Sequence, residues 1–312
     1  MTNVDSQFIA EVVREAVKKC LPCGLAGNPE QFDAQAQELF ESQEGQTARE
    51  EIVRAGRKLW LREYVDGNGG NISYRIAQDY VICTPTLCSK GDLTAADLAV
   101  VNFANHRVVG TCAHTSELLL HLEIYAAVPQ ARAVIHCHPP HATAYAITGA
   151  IPPGDVIPEQ EVFVGPVALS PYETPGTKAF AETVLPYVRS HNTILLANHG
   201  VVCWSDTVTH AEWLVEVVDA YCRTLILASQ LGRPVQNIAP GKIADLLRIK
   251  QRLGLPDARL APQRLEDPGA RPSCPNGAES ASLPAGGSNT EAFEALIQTI
   301  VDQIVRFAAT RP

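Results

Sequence analysis

Apolar positions change period along the chain, and the changes divide it into four stretches. Between residues 5 and 21, Phe8, Ile9, Val12, Val13, Ala16, Val17 and Leu21 recur at steps of one, three and four, a single stripe on a helix that Gly24 and Pro29 end. From about Thr47 to Leu255 the pattern is mixed. Helical runs cover Thr47 to Tyr64, Ser116 to Ala127 and His210 to Leu231, and strand-like runs cover Tyr80 to Cys83, Ala99 to Asn102, Ala133 to Ile135 and Thr193 to Leu196, bounded by Gly, Pro and Asn. This predicts one α/β domain over residues 47–255. Residues 256–290 are crowded with Pro, Gly, Ser and Ala and nearly lack large apolar side chains, so burial there cannot offset the entropy of ordering; the stretch reads as a flexible linker. In residues 291–312, Phe293, Leu296, Ile297, Ile300, Val301, Ile304, Val305 and Ala308 return to one face, predicting a C-terminal amphipathic helix. Residues 1–46 are left as an N-terminal helix and connector.

Composition narrows the function classes. With 312 residues, 46% of them hydrophobic, the chain can bury a normal core. Its net charge of −9, with no run of five like charges, argues against a nucleic-acid or anionic-membrane surface, while small anionic metabolites stay open through local sites. The N-terminal stretch interleaves charges with apolar residues where a signal peptide would be continuously apolar, so a cytoplasmic location is expected. The nine cysteines are odd in number and show no framework, which fits reduced thiols; the Cys20-Cys23 pair lacks the second pair that zinc would need.

The segment with the sharpest chemistry is AVIHCHPPHA, residues 133–142. In an extended chain, residues i and i+2 point the same way, so His136 and His138 can converge on one ion, although such a pair alone also fits ordinary surface or core histidines. His199, in TILLANHGVV, offers a third imidazole at the end of another buried-looking strand, where Gly200 allows a tight turn. Three histidines suit zinc or a similar divalent ion with an open position, and a nearby carboxylate is then needed to move protons. Glu117, in HTSELLLHLEIY, is that candidate, beside Thr115 and Ser116 at the start of an apolar helix. Two further segments suit phosphate: GNGGNIS at residues 67–73, where glycines can expose successive N–H groups, and Thr84-Pro85-Thr86, which supplies hydroxyls. His106, His114, His121, His141, His191 and His210 read as structural or solvated, His141 lying nearest the metal strand.

The order GNGGNIS, TPT, TSE, HCH, NHG resembles the class II aldolase and adducin family, over about residues 47–255. The resemblance implies a three-layer α/β/α fold with a central, mainly antiparallel sheet, assembled as a homotetramer. It implies that His136, His138 and His199 hold zinc, that Glu117 is the acid/base carboxylate and also touches the metal, and that Gly70, Asn71, Thr86, Thr115 and Ser116 bind substrate phosphate. The activity implied is cleavage of a deoxyketose 1-phosphate, L-fuculose or L-rhamnulose 1-phosphate, to dihydroxyacetone phosphate and L-lactaldehyde. A pentulose-5-phosphate 4-epimerase and a decarboxylase are the alternatives, and a non-catalytic adducin-like module is disfavoured because all four site residues are present. Glu117 favours aldolase over epimerase, since the epimerase branch tends to carry Asp there.

Departures from the family pattern also appear. Leu87 stands where the family's TPTG or TPSG has glycine, residues 151–165 contain no tyrosine to protonate the leaving alkoxide, and Leu253 precedes Gly254 near the domain's end; Glu159 or Glu161 is left as proton donor. The C-terminal helix, and residues 5–20 with it, resemble the encapsulation peptides of bacterial microcompartments. That implies shell proteins as partners and the microcompartment lumen as a second location.

Overall fold

A computed structural model describes residues 34–260, apart from residues 105, 106, 111, 256 and 258. The N-terminal stripe, Cys20, Cys23, Cys274, His106, nearly all of the 256–290 stretch and the C-terminal helix lie outside the described residues.

The chain opens with two helices, α1 (Ala34–Glu41) and α2 (Gln43–Leu61). Helix α2 begins ahead of the expected Thr47 because Ser42 caps it, its Oγ accepting from Gly45 N at 3.0 Å. Helix α1 falls in the stretch read as connector, yet Ala36 is buried in the core with Ile52 and Leu59 of α2. Strands β1 (Asn71–Ala77), β2 (Tyr80–Cys83), β3 (Ala99–Asn102) and β4 (Arg107–Val109) follow, then α3 (Leu118–Ala127), β5 (Ala133–Cys137) and α4 (Pro140–Thr148). After one π-helical turn (Gln160–Val164) come β6 (Ala168–Ser170), α5 (Lys178–Glu182), β7 (Thr193–Leu196), β8 (Gly200–Ser205), α6 (Val208–Ser229) and α7 (Pro240–Arg252).

The strands form one eight-stranded sheet in the order β4-β3-β2-β1-β5-β8-β7-β6. Every pairing is antiparallel except β6 with β7. Alternation along the strands sends Ile135, Cys137, Val201 and Cys203 to one face, where they pack with Ile52 and Leu59 of α2 and Val215 and Val218 of α6. Val134, Val202 and Trp204 go to the other, against Leu118 and Leu122 of α3 and Phe180 of α5. The three layers and the mainly antiparallel sheet are therefore those the sequence implied. Cys83, Cys88, Cys137, Cys203 and Cys222 form no disulfide. No helix among the described residues is long and apolar enough to cross a membrane.

What this arrangement positions is the C-terminal end of β5, a central strand buried on both faces. The antiparallel register sets Asn71 of β1 opposite His136, and Val202 of β8 opposite it on the other side. Helix α3 begins at the same end of the sheet, with Glu117 at its N-cap.

Candidate active site

His136, His138 and His199 come together as expected. Among the described residues, each of the three offers a ligand atom within 4.8 Å of the others. His136 is fully buried and its Nδ1–H donates to Val201 O at 2.9 Å; His138 Nδ1–H donates to Asp66 Oδ1, also at 2.9 Å. Both imidazoles therefore turn an Nε2 lone pair inward, and those two atoms are 3.2 Å apart. Two lone pairs at that distance repel unless a cation lies between them. Donation of the outer ring N–H to a carbonyl or carboxylate is also the usual support of a metal-binding histidine.

Burial first, and the neighbouring imidazoles second, hold His136 well below its ordinary pKa; burial does the same to His199 against the opposing pull of Glu117. Neutral imidazoles are the form that binds metal. The donor set thus fits a divalent cation. His199 Nδ1 is buried without a hydrogen-bond partner among the described residues, and its ring packs against His136 and Phe180.

The turn that delivers His199 differs from expectation. The left-handed residue is Asn198, with φ of 55°, and Gly200 is needed instead for space: a Cβ there would lie 2.5 Å from Cys137 O and 2.7 Å from His138 Cδ2. Gly70 meets both demands, with φ of 70° and room for no Cβ between Val65 and His136 O.

Glu117 is almost buried, 9% exposed, and faces the histidines: its Oε2 is 3.3 Å from His136 Nε2 and its Oε1 3.6 Å from His199 Nε2. Its side chain makes no cap bond to its own helix and turns to the histidines instead. Asn71 Nδ2 donates to Oε2 at 2.8 Å.

Beside the cluster lies a cavity of about 170 Å³, lined by Gly70, Asn71, Thr86, Thr115, Ser116, Glu117, His138 and His199 among others. It is smaller than the roughly 300–1,000 Å³ of drug-sized ligand sites, which suits a small metabolite. The TPT and HTSE segments reach it together because Thr86 N donates to Ala113 O and Thr115 N to Thr84 O, both at 3.0 Å, around a Pro85–His114 bridge. Leu87, also at the cavity, adopts the left-handed φ of 54° that a glycine would take without strain.

One expectation is corrected and two others gain detail. Asn71 lines the cavity with its side chain already engaged, one Nδ2 hydrogen on Glu117 and Oδ1 against His121, which leaves its second Nδ2 hydrogen for a substrate oxygen. Neither Glu159 nor Glu161 lines the cavity: Glu159 is exposed, and Glu161 is buried with its Oε1 accepting from Asp155 N at 2.6 Å and its Oε2 2.8 Å from Arg259. His121, read as structural or solvated, is structural: it is fully buried and stands two hydrogen bonds from Glu117, four residues before it on the same helix. His141 stays outside the cluster, paired with buried Asp219 at 2.9 Å. Asp66, which orients His138, had only its position before the glycine run to betray it.

Comparison with known proteins agrees with this geometry. Residues 50–226, more than half of the chain, match the family described as Class II Aldolase and Adducin N-terminal domain. The chain is 28% identical over 205 residues to the 3-oxo-tetronate 4-phosphate decarboxylase of Escherichia coli K12, covering 64% of this chain and 95% of that protein. It is 34% identical over 170 residues to the L-fuculose phosphate aldolase of Methanococcus maripaludis, covering 54% and 91%. The crystal structure of YgbL from Escherichia coli superposes with a TM-score of 0.60 at 28% identity, over 64% of this chain and 98% of that one. From its sheet order to its cluster of histidines, the chain belongs to the class II aldolase and adducin family.

Proposed function

We propose that this enzyme is a metal-dependent carbon–carbon lyase that decarboxylates a phosphorylated 3-oxo sugar acid. The observation that carries this reading is the recurrence of 3-oxo-tetronate 4-phosphate decarboxylases among its relatives. The cavity supports it, having one carboxylate and no tyrosine among its described lining residues. Retro-aldol cleavage asks for two proton transfers, one off the hydroxyl that becomes the aldehyde and one onto the carbon left behind. Loss of CO2 asks for one, onto the carbon, because the carboxylate departs as a neutral molecule.

His136, His138 and His199 would hold a divalent cation, zinc in this reading, which when bound supplies positive charge for the substrate oxygen that turns anionic as the carbon–carbon bond breaks. Glu117 carries the proton to the new carbanion carbon. Asn71 fixes the carboxylate's position through Oε2. Gly70 and Ser116 offer the phosphate backbone N–H groups, and Thr86, Thr115 and Ser116 offer it hydroxyls, with Asn71 beside them.

Aldol cleavage of L-fuculose or L-rhamnulose 1-phosphate is the second reading, favoured by the similarity to L-fuculose phosphate aldolases. Both reactions end in dihydroxyacetone phosphate, so the other fragment discriminates them. Metal-loaded protein is incubated with 3-oxo-tetronate 4-phosphate and with the two deoxyketose 1-phosphates; CO2 from the first supports the proposal, lactaldehyde from the others replaces it with the second reading, and neither fragment overturns both.

We further propose a homotetramer, and docking of residues 291–312 onto microcompartment shell proteins, which would place the enzyme in that lumen instead of the open cytoplasm. Light scattering tests the first. Deleting residues 256–312 tests the second, and unchanged co-purification with shells would refute it.

A further inference from the structure

A line of buried side chains runs from Glu117 into the protein behind the cavity. Asn71 Nδ2 donates to Glu117 Oε2 at 2.8 Å; Asn71 Oδ1 lies 2.6 Å from His121 Nε2; His121 Nδ1 lies 2.7 Å from Ser73 Oγ; and Ser73 Oγ lies 2.7 Å from the Tyr125 hydroxyl. Asn71, Ser73, His121 and Tyr125 are each no more than 3% exposed. Two elements contribute: β1 gives Asn71 and Ser73 on one face of the strand, and α3 gives His121 and Tyr125 four residues apart, with Glu117 at its N-cap.

Donor and acceptor counting leaves one direction for this line. A carboxylate only accepts, so Asn71 must present its NH2 to Glu117 and its carbonyl to His121. His121 must then carry its proton on Nε2 and donate it. Its Nδ1 is left as an acceptor, which Ser73 fills with its hydroxyl hydrogen; the Ser73 oxygen then accepts from the Tyr125 hydroxyl at 2.7 Å, the nearer of that hydroxyl's two acceptors, Arg132 O lying at 3.4 Å. With the proton on Nδ1, an Nε2 lone pair would face Asn71 Oδ1 at 2.6 Å, and relief of that clash would turn the amide oxygen onto Glu117.

We propose that His121 is a positioning residue of the reaction, locked as the Nε2–H tautomer by Ser73 and Tyr125, and that through Asn71 it holds the Glu117 carboxylate in its working orientation. The proposal rests on the reading of Glu117 as proton carrier. Burial holds the His121 pKa down at about 3, so the ring is neutral throughout the physiological range, as a fixed tautomer requires.

The test reads the tautomer first. In zinc-loaded wild-type protein labelled with 15N-histidine, the account expects His121 with a protonated Nε2 and a bare Nδ1; a protonated Nδ1 overturns it, whatever the substrate proves to be. The second arm compares variants at equal metal content. His121→Leu should lower kcat about 10- to 100-fold with KM little changed, and His121→Gln, whose amide can donate to Asn71 Oδ1, should restore most of the loss. Wild-type kcat in His121→Leu, or a fall that His121→Gln does not repair, counts against the role. Where His121→Leu fails to fold, the wild-type spectrum decides alone.

Discussion

His136 Nε2 and His138 Nε2 stand 3.2 Å apart, each with its other ring nitrogen committed as a donor, His136 to Val201 O and His138 to Asp66. The pair is arranged for a cation. Chelation should therefore lower the unfolding temperature of wild-type protein, since a ligand at 100 times its Kd contributes about 2.7 kcal/mol to the native state. His199→Ala should bind no stoichiometric metal and show no response to chelator. Asp66→Asn, which weakens the support of His138, should lose about 10- to 100-fold in metal affinity while keeping its fold. Metal titration followed by calorimetry checks all three.

Gly200 is the second place where the site depends on a specific residue. A methyl group there would press on the Cys137 carbonyl and the His138 ring at 2.5 and 2.7 Å, and the backbone atom cannot yield cheaply. Gly200→Ala should destabilise the protein by about 1–3 kcal/mol and lower metal occupancy, both read by denaturant unfolding with and without zinc.

At Leu87 the strain is conformational. Its φ of 54° is the left-handed region, and its side chain is 63% exposed, so little packing offsets the strain. Leu87→Gly should be more stable than Leu87→Ala by about 1 kcal/mol. Equal stability of the two variants in urea unfolding would show that the turn relaxes.

Much of this site was legible in the residues, and what was not has physical reasons. Strands β2, β3 and β7 match the apolar runs because they are central or well-packed strands whose side chains are nearly all buried. Strand β1 was hidden because its first residues, Asn71 and Ser73, are polar yet buried, so they look like a continuation of the glycine turn. Their hydrogen bonds to Glu117 and His121 permit the burial, and no local pattern encodes partners some 50 positions away. The histidine triad was readable because strand geometry and chain order constrain it. The partners Val201 O and Asp66, which fix the tautomers, belong to other elements and became visible only with the fold.

Acid should unfold the protein partly through His121. Its pKa is 6.5 when unfolded and about 3 when folded, so between those values the unfolded chain binds a proton that the native state refuses, and stability falls as pH drops through that window. The slope from this group is about 1.4 kcal/mol per pH unit. His121→Gln should flatten the pH dependence between 6 and 4 by that amount, measured by urea unfolding; an unchanged slope would mean that the ring accepts a proton in the native state.

The most direct test of the central claim, that Glu117 delivers the single proton a decarboxylation needs, is the reaction run in D2O. Zinc-loaded wild-type protein with 3-oxo-tetronate 4-phosphate should release CO2 and give dihydroxyacetone phosphate with one deuterium, placed on one face of the carbon that lost its carboxylate. Glu117→Gln should keep its zinc and lose that turnover. Deuterium scattered over both faces in the wild type, or full turnover by Glu117→Gln, would contradict the account.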